Sequence, residues 1–167
     1  LSDSPDGVLY DFLDTLISRN SGLGKGYGTE YLDWVSSDGF VISKRPIYLK
    51  RSRNITMSTE GRCTELGESL DRLLESGLLN DSDIDNSFFT WTSKPCFTKV
   101  GSCNPMFRVV TISSSLDSRD VPENVLDFVV YHESLHLRRG YRPNRRAHDR
   151  DFRNSEHGFP GWEECEK

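Results

Sequence analysis

The sequence has no apolar run approaching the ~20 residues that cross a bilayer, so no transmembrane helix is expected. Leu1 to Gly7 carries neither a basic segment nor an apolar core, and no secretory leader is expected there. The four cysteines, Cys63, Cys96, Cys103 and Cys165, include no C-x-x-C pair. That spacing argues against a cysteine zinc site and favours reduced thiols in an intracellular, cytoplasmic protein. Internal repeats and low-complexity tracts are also missing. Glycine clusters at Gly22, Gly24, Gly26 and Gly28, but no Lys-Ser/Thr pair follows and no apolar strand precedes. The segment from Asn20 to Thr29 therefore reads as a flexible connection, not a phosphate loop.

What remains fits one soluble domain. A chain of 167 residues, 35% of them hydrophobic and 28% charged, can bury a core without disulfides. Its most informative stretch runs from Pro122 to Phe152 and contains His132-Glu133-Ser134-Leu135-His136, the pattern H-E-x-x-H. Histidines four apart on a helix project from one face, close enough to share a zinc ion. The glutamate between them is placed to act as general base on a metal-activated water. Asp120 and Pro122 predict the helix start, and Gly140 predicts its end. Val125, Leu126, Val129, Val130 and Leu135 are apolar, and Val125, Val129, His132 and His136 share one face. A third histidine, His148, follows after an arginine-rich loop.

The other elements read in order. Ser4 and Pro5 predict a cap and first position for a helix with Val8, Leu9, Phe12, Leu13, Leu16 and Ile17 on one face. A short helix is expected over Tyr31 to Val35, a turn at Ser37-Asp38-Gly39 and a short strand over Phe40 to Ile42; Ser43 to Thr56 gives no clear pattern. Arg62 to Leu79 predicts a helix with Cys63, Leu66, Leu70, Leu73 and Leu74 inward, followed by an acidic turn from Asn80 to Asn86. Strands are expected over Phe88 to Thr92, Cys96 to Val100 and Met106 to Ser113, with Gly101 to Pro105 as the turn between the last two. Arg150 to Glu156 predicts a helix ended by Gly158 and Pro160.

Charge is segregated along the chain. The net charge is −5, yet residues 44–53 carry five basic groups and no acid, and residues 138–153 carry seven arginines against Asp149 and Asp151. Those two segments hold +10 and the remainder −15. Such segregation marks either a solvated surface or a face for a polyanion such as nucleic acid.

From about Gly61 onward the sequence resembles the SprT-like and YgjP-like small zinc metallopeptidases, relatives of the gluzincins of the minigluzincin type. The resemblance rests on Thr90-Trp91-Thr92-Ser93, on Gly101-Ser102-Cys103 and on Arg108-Val109-Val110-Thr111-Ile112-Ser113-Ser114-Ser115-Leu116. It continues through Phe128-Val129-Val130-Tyr131-His132-Glu133-Ser134-Leu135-His136-Leu137, and through His148-Asp149-Arg150-Asp151-Phe152 with Pro160 and Trp162. Lys99-Val100 departs from the Arg-Trp usual in YgjP-like members, and the spacing from His136 to His148 is nearer the SprT-like length. The resemblance implies an α+β, zincin-like domain over residues 56–167, with a short sheet packed on the active-site helix and flanking helices. Residues 1–55 match neither family and are expected to form a helical or extended segment packed on the same domain.

The resemblance further implies zinc on His132, His136 and His148, with Glu133 as base in peptide hydrolysis of a protein or peptide substrate. Glu156 is a rival third ligand, because gluzincins use a glutamate; the family element favours His148. Tyr141, His157 and the loop arginines are candidates for oxyanion or substrate contacts. Two other readings fit the same residues. One is a non-catalytic module in which zinc staples helices together. The other is a nucleic-acid-associated protein docking through 44–53 and 138–153, with no membrane partner in either case.

Overall fold

The computed structural model describes residues 4–21, 26–143 and 145–165. Among the described residues eight helices and three short strands make an α+β fold. The helices are α1 (Asp6–Asn20), α2 (Thr29–Ser36), α3 (Asp38–Arg51), α4 (Leu66–Glu75), α5 (Asp81–Ile84), α6 (Glu123–Arg139), α7 (Arg150–Glu156) and α8 (Trp162–Cys165). The strands are β1 (Phe88–Trp91), β2 (Gly101–Asn104) and β3 (Val109–Ile112), in the order β1-β3-β2. β1 runs parallel to β3, and β2 runs antiparallel to it with Gly101 opposite Ile112. Residues 56–59 cover the far side of β1, where Thr56 donates to the Trp91 carbonyl at 2.9 Å and Trp91 donates to Ser58 at 3.2 Å. The outer edge of β2 receives no such cover among the described residues.

One hydrophobic cluster joins α4, the sheet, α6 and the C-terminal helices, through Leu66, Leu73, Trp91, Ile112, Val130 and Phe152 among others. Each fully buried Leu or Phe contributes about 1.5–3 kcal/mol. The buried residues of the N-terminal helices, Val8, Val35, Phe40, Val41 and Leu49, lie outside that cluster. The two parts meet where Phe107, in the β2–β3 turn, stacks on Tyr48 at 4.6 Å and on Phe40 at 5.9 Å. Arg45 reinforces the junction by donating to the Asn86 carbonyl at 2.6 Å and to its side-chain oxygen at 3.1 Å.

Several expectations are corrected. Phe40 to Ile42 is not a strand but part of α3, because the Ser37 side chain accepts from Phe40 N at 3.3 Å and starts the helix there. Ser37-Asp38-Gly39 is thus its cap and first turn, and the unassigned stretch beyond Ser43 continues it as far as Arg51, through Pro46. α1 begins at Asp6, one residue later than the Ser4-Pro5 reading, and of its expected apolar stripe only Val8 is fully buried. Leu9, Leu13, Leu16 and Ile17 stay exposed, since α2 covers only one side. Residues 22–25 of the glycine-rich connection lie outside the described residues, as do residues 1–3.

The helix expected from Arg62 begins only at Leu66. Residues 62–64 instead wrap Asp117, whose carboxylate accepts from the backbone N–H groups of Arg62, Cys63 and Thr64 at 2.6, 2.8 and 3.1 Å. Burial alone would raise the Asp117 pKa, but these donors outweigh it and hold the group below the usual carboxylate range. Cys63 is therefore exposed instead of inward. Gly77, at φ +74°, ends α4 before Leu79. The acidic turn contains one helical turn, α5. Cys96 to Val100 is irregular, tied by Cys96 N to Ser113 Oγ at 2.8 Å. The strand falls on Gly101–Asn104 and the turn on 105–108, so β3 starts at Val109.

α6 is fixed against α4 by a polar clamp. Asp127, at 9% exposure, accepts from Ser69 Oγ at 2.6 Å and from Arg72 Nη2 and Nε at 2.8 and 2.9 Å. Replacing the carboxylate strands a buried hydroxyl and half of a bidentate pair, a loss of about 1–3 kcal/mol. Urea unfolding of Asp127→Ala should show a midpoint lowered accordingly; an unchanged midpoint would mean that the clamp adds nothing.

Candidate metal centre

α6 starts after Pro122 and ends at Gly140, whose φ of +66° a side chain would strain. Its core face carries Leu126, Val130, Glu133 and Leu137, all buried. The face with Val125, Val129, His132 and His136 is only half-buried. That exposure suits a ligand site better than a sealed core would.

The third histidine reaches this face because α7, which follows it, packs against α6. Asp149 caps α7 by accepting from Phe152 N at 3.0 Å, and Arg139 Nη2 holds the same carboxylate at 2.5 Å. His148 Nε2 then stands 3.2 Å from His132 Nε2 and 3.0 Å from His136 Nε2. Three nitrogens at ordinary zinc distances around a tetrahedral ion lie about 3.3–3.4 Å apart, so both separations from His148 are close to those of such a site. Phe152, fully buried, packs behind all three rings, with centroids 5.1, 4.6 and 4.7 Å from His132, His136 and His148.

Orientation comes from a fourth residue. Glu156 Oε1 lies 2.5 Å from His132 Nδ1, which places the proton on Nδ1 and leaves Nε2 free to face the other imidazoles. Tyr131 Oη donates to the Ser155 carbonyl at 2.8 Å and ties α7 to α6 at the same level. Glu156 therefore orients one histidine instead of completing the cluster, which consists of His132, His136 and His148 with ligand atoms within 4.8 Å of one another. Burial, and then the neighbouring His132, His148 and Arg139, lower the His136 pKa to about 4. Burial and His132 lower that of His148 as well. Both shifts favour the neutral ring, the state a metal ion requires.

Glu133 sits beside this cluster at 6% exposure and makes no hydrogen bond among the described residues. Burial raises its pKa to about 7, with Lys99 opposing the shift. The neighbouring strand approaches closely: a Cβ on Gly101 would lie 2.6 Å from Glu133 Oε1 and 2.9 Å from its Cγ. Only glycine leaves that space free, so β2 presents bare backbone to the carboxylate.

Family models, curated proteins and solved structures give no match to this chain. The fold brings Tyr141 to the site, lining one hollow with His136 and another with Lys99 and Cys103. His157 stays apart, exposed and stacked on Trp162 at 3.8 Å. Of the loop arginines, Arg138 pairs with Asp83 at 2.7 Å and Arg139 with Asp149, leaving Arg142, Arg145 and Arg146 exposed. Sequence reasoning did not find Phe152 as the backing of the histidines, Glu156 as their orienting partner, or Lys99 near the glutamate. The helical offsets from Asp149 to Phe152 and Glu156 were the only available signal.

Metal retention should rank the residues. His148→Ala removes one of three imidazoles and should abolish stoichiometric zinc, whereas Glu156→Gln should keep it with affinity reduced about 10–100-fold. Competition with a chromophoric chelator measures both. Full retention by His148→Ala combined with loss in Glu156→Gln would overturn the assignment.

Proposed function

We propose that the chain is a zinc-dependent metallopeptidase of zincin-like fold, of the kind that the SprT-like and YgjP-like sequence features imply. The observation that carries this reading is Glu133: a carboxylate on a buried side chain with no hydrogen-bond partner among the described residues, beside three convergent imidazoles. Leaving such a group unpaired costs free energy and adds nothing to folding. A metal site that merely stapled helices would have no use for it.

His132, His136 and His148 would hold the ion, a donor set suited to zinc with one position left for a non-protein ligand. Zinc, when bound, supplies Lewis-acid chemistry: it polarises a carbonyl and acidifies a water. The protein's own part is proton handling and placement. With a pKa near 7, Glu133 can accept a proton at its carboxylate and return it to the leaving amine. The uncovered edge of β2 offers backbone groups to an extended peptide, which would add to the sheet as a fourth strand beside Glu133. Tyr141 lines the same cleft and, with His136, the adjoining hollow, which makes its hydroxyl a candidate donor to a developing oxyanion.

Nucleic acid is a second reading, favoured by the exposed Arg142, Arg145 and Arg146. Arg45, Arg138 and Arg139 are already engaged by protein groups, which reduces the field the two basic segments present.

Glu133→Gln keeps size but cannot accept the proton. It should retain zinc and cut fluorescein-labelled casein about 10²–10⁴-fold more slowly than the unaltered protein. Chelation should abolish cleavage and zinc should restore it. A fully active Glu133→Gln protein would remove the general-base role.

A further inference from the structure

Residues 139–142 and 145–147 line a hollow of about 180 Å³ beside the histidine cluster. Arg139, Arg142, Arg145 and Arg146 line it together with His136, Tyr141 and Pro105, and no acidic side chain does. Arg142, Arg145 and Arg146 form no ion pair among the described residues. Arg139 is held by Asp149 through Nη2, so its charge is already met. A concave surface lined by the three remaining arginines, none of them ion-paired among the described residues, is complementary to a carboxylate.

Position decides which carboxylate. Pro105 and Tyr141 line both this hollow and the cleft of about 260 Å³ along Ser102, Cys103 and Asn104 of β2. A chain extended along β2 advances about 3.3 Å per residue and alternates its side chains. A substrate side chain close to the bond being cut therefore reaches the hollow, since His136 belongs to its wall. A nucleic-acid backbone would fit an open basic stripe better than a pocket of this size.

We propose that this pocket is a subsite for an acidic side chain of the peptide substrate, adjacent to the scissile bond. It rests on the peptidase reading above and gives that reading a substrate class: acidic peptides over neutral or basic ones.

The test uses two pools of quenched-fluorescent octapeptides, randomised except for one fixed position that is Glu in one pool and Gln in the other, with the position scanned. At one or more positions near the cut the zinc-loaded protein should favour Glu by roughly tenfold or more in kcat/KM, a difference of about 1.4 kcal/mol. In the variant Arg142→Ser/Arg145→Ser/Arg146→Ser that ratio should fall to about one. A ratio near one in the unaltered protein, or a preference surviving in the triple variant, overturns the subsite. If neither pool is cut, the peptidase reading is what has failed, and binding decides the pocket. Anisotropy of labelled hexaglutamate should then show at least fivefold weaker binding by the triple variant, and equal binding overturns the proposal. Tighter, arginine-dependent binding of a 12-nucleotide single-stranded DNA than of hexaglutamate would assign the pocket to nucleic acid instead.

Discussion

Three imidazoles from two separate parts of the chain meet at one place because Phe152 fills the space behind all of them. Its ring is fully buried and lies within 5.1 Å, centroid to centroid, of His132, His136 and His148. Phe152 also belongs to the main hydrophobic cluster, so the free energy that folds the domain is the same free energy that positions the site. The short helix carrying it is held at its start by Asp149 and near its end by Glu156. Arg139 and His132 on α6 are the partners of those two carboxylates, so α6 fixes α7.

A second constraint works from the opposite side. Gly101 lets β2 come close enough to enclose Glu133, and enclosure is what raises the pKa of that carboxylate. The sheet is small, yet it does two things: β3 anchors α6 through the core, and β2 supplies a backbone edge beside the carboxylate. The N-terminal helices lie outside the main cluster and meet the rest at Phe107 and Asn86. Their aromatic side chains, Phe12, Tyr31, Trp34, Phe40 and Tyr48, surround a separate hollow next to Phe107.

The local signals in the sequence were read well where chain-local physics sets the outcome. Pro122 and Gly140 bound α6, and α7 spans Arg150–Glu156 as expected, stopping before Gly158. The same signals led astray where a distant partner decides. Residues 62–64 have a helical pattern but bind Asp117, more than fifty positions away. Phe40 to Ile42 looks like a strand because three apolar residues run together, whereas the Ser37 cap and the packing of Phe40 on Phe107 make it helical. The candidate ligands were legible from spacing, because histidines four apart share a helix face. Spacing also marks Glu156 as a candidate but not its role, since which atom a carboxylate faces depends on how two helices cross. Similarly, the arginines were visible as a charge run, while their division into paired and free members required the fold.

The central claim is a metal held by three neutral imidazoles with Glu133 and Glu156 outside the coordination sphere. X-ray absorption at the zinc edge of the protein loaded with one equivalent of zinc tests it most directly. The account predicts stoichiometric uptake and three imidazole nitrogens at about 2.0–2.1 Å with one further light-atom ligand. Two imidazoles with a carboxylate in place of the third, or no stoichiometric uptake at all, would contradict it.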